Sequence, residues 1–310
     1  MPGAYAHITA VNLASEIHRL QKAKVPASVA RPLGRYRGFL ELGAVSPDYP
    51  YLDVNPFTGS KRWADQMHYV RTGQMLGAGL RLLPSLSGEA REKAIAWLLG
   101  YAAHLVADLT IHPVVECRVG PYETNARHHR TCEMHQDAYI FQRLNLGPVG
   151  VAEHLDSGIA RCGGAMGGGL DGTVTELWLG MFQEVYPDEY ANDPPDVHAW
   201  HNSFRFVVDT VEESDKLFPI ARHVASEYGC AYPAVEEIDK SYIERLQTPT
   251  GQPMDYDLIF DVAIDNILDM WRRLGEALDG TDASLYADLG NWNLDTGKDE
   301  QGDYLYWEVA

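Results

Sequence analysis

A chain of 310 residues, 45% hydrophobic and 22% charged, has room for one large domain or two ordinary ones. It buries about three quarters of its unfolded surface and so tolerates polar groups in its core. Its formal charge of −19 excludes a protein whose main work is gripping a phosphate backbone through Lys and Arg, double-stranded nucleic acid above all, while leaving a small anionic or zwitterionic substrate open.

Cys117, Cys132, Cys162 and Cys230 have no CxxC spacing and are too few to staple this length, which argues against a zinc ribbon and a disulfide scaffold. Residues 1 to 20 lack a basic segment leading into an unbroken apolar run, so no secretory signal is expected and the chain reads as cytoplasmic. Helical periodicity dominates wherever the sequence is regular, which predicts a mostly α fold. The first helix is expected over about 8–21 and a second over 33–42, stopped at Gly43 and followed by the turn Ser46-Pro47-Asp48. Pro50 and Pro56 punctuate an ordered loop over 48–60. Helix resumes over 60–83, and Ser87-Gly-Glu-Ala-Arg-Glu opens a long central helix whose acidic first turn suits the helix dipole. The apolar stretch Ala94–Val115 has the length of a membrane span. It carries His104, Asp108 and His112, which are costly in lipid, so a buried central helix is expected and a transmembrane segment is not. A loop over 118–127 and a helix over 127–144 follow.

The six glycines between Ile159 and Gly172 read as a flexible connection near 163–172 and match neither a P-loop nor GxGxxG. Further helices are expected over 173–185, 196–227 and 256–278. The turn-rich, aromatic tail near 284–310 is expected to pack back on the body as a clasp. Trp97, Trp178, Trp200 and Trp271 fall at core spacings.

Eight of the twelve histidines lie within the first 135 residues, and three ionisable groups share one stripe of the central helix. Positions four apart advance by about 40°, so His104, Asp108 and His112 line one face among Leu98, Leu99, Ala102, Leu105 and Val106. Burying them without partners is expensive. A divalent ion would satisfy them together; the alternative is an internal salt-bridge network. His104 and His112 stand about 12 Å apart along the axis, so the stripe implies two ions with Asp108 between them. The next helix repeats the spacing with His129 and Glu133, and Asp137 one turn on. Its competing face offers His128, Cys132 and His135, but Ala138, Ile140 and Phe141 flank the first stripe with core contacts. Tetrahedral sites need further ligands, for which His68, Asp48 and His7 are the candidates. His18, His154, His198, His201 and His223 are read as ordinary hydrogen-bonded histidines, and His128 and His135 as solvated or supporting ones.

Taken in order, His7, Asp48 in Ser46-Pro-Asp, His68, His104-x3-Asp108-x3-His112-Pro113 and His129-x3-Glu133 resemble the zinc-dependent phospholipase C family. That family shares its helical fold with the single-strand nucleases of the S1/P1 type. The resemblance implies an all-α, single multi-helix domain over 1–310 with a trinuclear zinc centre at the bottom of a cleft. Asp48, His68, His104 and Asp108 would hold one zinc, and His112, His129 and Glu133 a second. His7 would hold the third, with Asp108 bridging it to the first. Secreted members add an N-terminal tryptophan to the third site, whereas no tryptophan precedes Trp63 here, so two to three Zn2+ are expected. The three-residue gap before His112 is shorter than in those enzymes and keeps it on the same helix. With the chain that follows residue 279, their membrane-binding β domain is not expected. The resemblance further implies phosphodiester hydrolysis by an activated water, with Asp48 orienting that water or taking its proton, on a small phosphoester or phospholipid. A same-fold nuclease or other phosphoesterase, and a metal-binding protein without hydrolytic activity, stand as alternatives. The oligomeric state is left open.

Overall fold

A helix that is apolar all round is stable only when surrounded, and this is the position of Ala94–Val115. In the computed structural model, which describes residues 3–53, 59–146, 158–159, 162–164, 168–214 and 232–308, every residue of that stretch is buried. It forms the middle of α7 (Gly88–Val119), a helix of 32 residues and therefore about 48 Å. Among the described residues this is the one helix long and apolar enough to cross a membrane, and it is the core helix around which the others pack.

Ahead of it come α1 (Ala4–Ala14), α2 (Ile17–Lys22), α3 (Ala27–Arg35), α4 (Arg37–Val45), α5 (Ser60–Tyr69) and α6 (Thr72–Leu82). The expected first helix is thus two. Glu16 takes an extended conformation, and the Ser15 hydroxyl bonds the Asn12 carbonyl, ending α1 after three turns. The expected second helix also begins earlier and breaks at Tyr36, whose φ of −120° and ψ of 46° are not helical. Ser46–Leu52, expected as loop, is a 3₁₀ helix. Residues 54–58 of the expected 48–60 loop lie outside the described residues.

The expected loop over 118–127 shrinks to Gly120-Pro121. Gly120 has a φ of +87°, and α8 (Tyr122–Ile140) follows, kinked at Asn125, whose amide bonds the Pro121 carbonyl. A 3₁₀ turn, Phe141–Leu144, continues it. The described parts of the glycine-rich connection close on each other through a Gly163–Leu170 bridge and the bond from Asp171 N to Cys162 O. Asp171 then caps α9 (Gly172–Val185), its carboxylate accepting from Thr173 N and Val174 N. After α10 (Pro187–Asn192), α11 (Val197–Ser214) occupies the start of the expected 196–227 helix, whose remainder is outside the described residues. Then α12 spans Tyr256–Leu278, as its periodicity predicts, and α13 is the single turn Leu285–Asp288. Two short antiparallel pairs complete the description: β1 (Leu246–Gln247) with β2 (Pro253–Met254), and β3 (Trp292–Asn293) with β4 (Lys298–Asp299).

Small residues set how closely α4 meets α7. A Cβ on Gly43 would run into the Trp97 carbonyl, and one on Gly100 into that of Leu40, so the two backbones touch. Trp97, Trp178, Trp200 and Trp271 are all buried, as expected.

Candidate metal centre

Five segments bring the chemistry together: α1 carries His7, the 3₁₀ helix Asp48, α5 His68, α7 the trio His104, Asp108 and His112, and α8 His129 and Glu133. Asp108 is the hub. Its Oδ1 lies 3.3 Å from His7 Nε2 and 3.9 Å from His112 Nε2, and its Oδ2 lies 3.3 Å from His104 Nε2 and 4.0 Å from His68 Nε2. Asp48 Oδ1 stands 3.3 Å from His68 Nε2 and 3.6 Å from His104 Nε2. Glu133 Oε1 is 3.9 Å from both His112 Nε2 and His129 Nδ1. The His7 ring stacks on His104 with centroids 4.0 Å apart. Two sets are tight enough to surround an ion, His7 with His104 and Asp108, and Asp48 with His68 and His104, each with its ligand atoms within 4.8 Å of one another.

The backbone decides which nitrogen of each imidazole faces inward. His68 Nδ1 lies 2.7 Å from the Ala64 carbonyl, His104 Nδ1 2.8 Å from that of Ala44, and His112 Nδ1 2.8 Å from that of Leu294. A carbonyl can only accept, so each Nδ1 carries a proton and each Nε2 points at the carboxylates, the arrangement in which metal-binding histidines are held. The Ala44 carbonyl reaches His104 because Gly43 and Gly100 let α4 and α7 touch. His129 is held the other way round, with Nε2 2.6 Å from the Gly120 carbonyl and Nδ1 facing Glu133.

The inward atoms are the ones left over. Both nitrogens of His7, Nε2 of His68, His104 and His112, Oδ1 of Asp48 and both oxygens of Asp108 are buried without a hydrogen-bond partner among the described residues. Their separations are too long for charge-assisted hydrogen bonds, which run about 2.7–2.9 Å. The shortest, at 3.3 Å, match the spacing of about 3.3–3.5 Å between ligands of one tetrahedral zinc at 2.0–2.2 Å, and the rest lie between 3.6 and 4.0 Å. The donor set and its orphaned atoms therefore fit zinc better than an internal salt-bridge network.

Electrostatics points the same way. Burial works to raise the Asp48 carboxyl, but His104, His68 and His7 outweigh it and hold it below its ordinary value. Asp108 is held well below, against its own burial, by His104, His112 and His7. Burial lowers His112, which favours the neutral imidazole that a metal requires. Asp48 is the most accessible of the three carboxylates, its side chain 13% exposed against 0% for Asp108 and 6% for Glu133. Its position is fixed from below: the Ser46 hydroxyl donates to the Leu42 carbonyl and accepts from Trp97 Nε1.

The other candidates lie elsewhere. His128 is exposed, Cys132 is buried with its thiol pushed up by burial, and His135 Nδ1 accepts from Asp239 N. Asp137 accepts from Ala6 N and from the Tyr232 hydroxyl, tying α8 to the first turn of α1. His18 is exposed beside Glu16, His198 accepts from Leu170 N, and buried His201 lies beside Tyr49. His154, His223 and Cys230 lie outside the described residues. Sequence reasoning missed Tyr51, whose ring packs 5.2 Å from that of His68; Tyr122, 5.3 Å from that of His129; and Asp295, which accepts from Tyr69 and stands 3.9 Å from His112 Nδ1. Tyr69 directly follows His68 and Tyr51 lies three residues after Asp48, but neither stands at a helical spacing shared with the other expected ligands.

A family model described as "Zinc dependent phospholipase C" matches residues 6–167, a span that takes in His7 through Glu133. Neither the curated proteins nor the solved structures compared with the chain give a match.

Proposed function

The chain belongs to the zinc-dependent phospholipase C family and is a zinc-dependent hydrolase of phosphodiester bonds; on that premise, we propose which residues carry its chemistry. Asp48, His68, His104 and Asp108 would hold one zinc, His112, His129 and Glu133 a second, and His7 a third, with Asp108 shared between the first and the third. We also read 1–310 as one domain. The observation that supports this reading is the set of buried, partnerless ligand atoms at tetrahedral spacing around Asp108.

Bound zinc would supply Lewis-acid chemistry there, polarising a phosphoryl oxygen and lowering the pKa of a water. The chain supplies the rest. The carbonyls of Ala64, Ala44 and Leu294 keep three imidazoles in one tautomer, so the Nε2 lone pairs stay aimed inward. Asp108 stays ionised and offsets positive charge at the centre. Asp48, ionised and reaching the solvent side, orients the attacking water and accepts its proton. Held ionised, that carboxylate is free to accept a hydrogen bond from the water before each turnover.

The proposed substrate is a small phosphoester or a phospholipid. The zinc-loaded protein should release phosphocholine from short-chain phosphatidylcholine faster than it digests single-stranded DNA. The reverse order would favour the nuclease reading, and failure to turn over either of them or bis-p-nitrophenyl phosphate would remove the proposed centre as a hydrolytic one.

A further inference from the structure

The nitrogen of His112 that faces away from Asp108 is held by residues far beyond the matched span, which ends at 167. The chain returns at 291–297 and passes between α5 and α7. Asn291 Oδ1 accepts from Arg71 N, and Trp292 exchanges two bonds with the Thr72 hydroxyl, at 2.8 and 2.9 Å. Leu294 then meets both ligand helices: its N–H donates to the His68 carbonyl at 3.0 Å and its carbonyl accepts from His112 Nδ1 at 2.8 Å. Asp295 follows, with Oδ2 accepting from the Tyr69 hydroxyl at 2.8 Å and Oδ1 3.9 Å from His112 Nδ1.

The turn that aims Leu294 is built tightly. Asn293 Oδ1 accepts from Asp295 N and Thr296 N, and its carbonyl accepts from Gly297 N. Gly297 has a φ of +70°, and a Cβ there would collide with Pro113 and with the Leu109 carbonyl. Pro113 has no N–H, so that carbonyl loses its helical partner, and the strap crosses α7 at this interruption.

We infer that Asn291–Gly297 is a positioning strap of the metal centre, holding His112 through the Leu294 carbonyl and the Asp295 carboxylate. The inference rests on the proposed centre. Partners of this kind fix the tautomer and ring direction of a metal-bound histidine, and their loss typically costs about 10–100-fold in metal affinity. Asp295 adds a negative charge beside the Nδ1–H, which raises the basicity of the imidazole toward an ion on Nε2, while Tyr69 holds that carboxylate in place.

The test is zinc affinity by chelator competition, with Co2+ absorption as a second readout. Asp295→Ala should weaken the site that contains His112 by about 10–100-fold and shift the cobalt spectrum, while exposed Glu308→Gln should match wild type. In a His112→Ala background, adding Asp295→Ala should cost nothing further, because the strap would have lost the group through which it acts. An equal further loss there, or wild-type affinity in Asp295→Ala, would overturn the inference. If either variant fails to fold, hydrogen exchange on the wild type decides: the Leu294 amide should exchange more slowly when zinc is loaded, and an unchanged rate would overturn the strap. A wild-type chain that takes up no zinc would instead overturn the metal centre itself.

Discussion

Asp108 lies within 4.0 Å of four histidines from three helices, the placement that a carboxylate shared by two ions would need. Asp108→Asn keeps the volume but removes the charge and one acceptor. The expected result is loss of about one zinc per chain or more, by metal analysis after exhaustive dialysis, and activity down by at least about 100-fold, the scale on which positioned charge acts in catalysis. Unchanged stoichiometry would contradict the bridging role. Asp137 makes a different prediction. Burial outweighs its hydrogen bonds to Tyr232 and Ala6 and raises its carboxyl to about 7, against 3.8 in an exposed chain. Between those values the folded state keeps a proton that the unfolded state releases. The favourable contribution is complete below pH 3.8 and is lost as pH rises through 7, up to about 4 kcal/mol in all. Asp137→Asn should therefore flatten the stability profile, gaining on wild type between pH 5 and 8 in denaturant titrations. At this scale the sequence was informative where spacing carries meaning: four-residue steps put His104, Asp108, His112, His129 and Glu133 on facing stripes. It was silent on the carbonyls of Ala64, Ala44 and Leu294, because every residue has a carbonyl and only the fold chooses which one faces an imidazole.

The contact between α4 and α7 is where helix packing becomes site geometry. Gly43 and Gly100 let the backbones touch, and the Ala44 carbonyl thereby lies 2.8 Å from His104 Nδ1. Gly100→Ala forces the helices apart against backbone atoms that no rotamer change can move. It should cost about 1–3 kcal/mol, read as a lower urea midpoint, and should also weaken zinc binding because His104 loses its anchor. Retained zinc affinity at reduced stability would separate the packing from the site. Helices whose periodicity runs uninterrupted, such as α7 and α12, were legible nearly to the residue. Breaks were harder. Ser15-Glu16 and Tyr36 carry no Gly or Pro; the first break comes with a side-chain bond from Ser15 to the preceding turn, and the second is a single non-helical residue between two helices. Asn125 kinks α8 by bonding Pro121, which turned a ten-residue loop expectation into a two-residue link.

Across the whole molecule, five histidines and three carboxylates meet in the interior of a chain of net charge −19, and three divalent ions would offset six of those charges. The acidity that argues against a polynucleotide backbone held by basic residues is compatible with a phosphate held by metal. Without metal, the buried ligand atoms have no hydrogen-bond partner among the described residues, and such groups are costly. Zinc at a hundred times its dissociation constant contributes about 2.7 kcal/mol per independent site. Removing it with a chelator should therefore lower the thermal midpoint, and added zinc should restore it. Because the strap bonds both His68 and His112, the change should extend to residues 291–297 and be visible as greater exposure of Trp292 in fluorescence quenching. Acid should act in the same direction as the chelator. The histidines bind metal only when neutral, so proton competition should release zinc in acid. The stability difference between zinc-loaded and chelated protein should then shrink toward zero in acid. A chelated protein as stable as the loaded one at neutral pH would show that the buried cluster satisfies itself without metal.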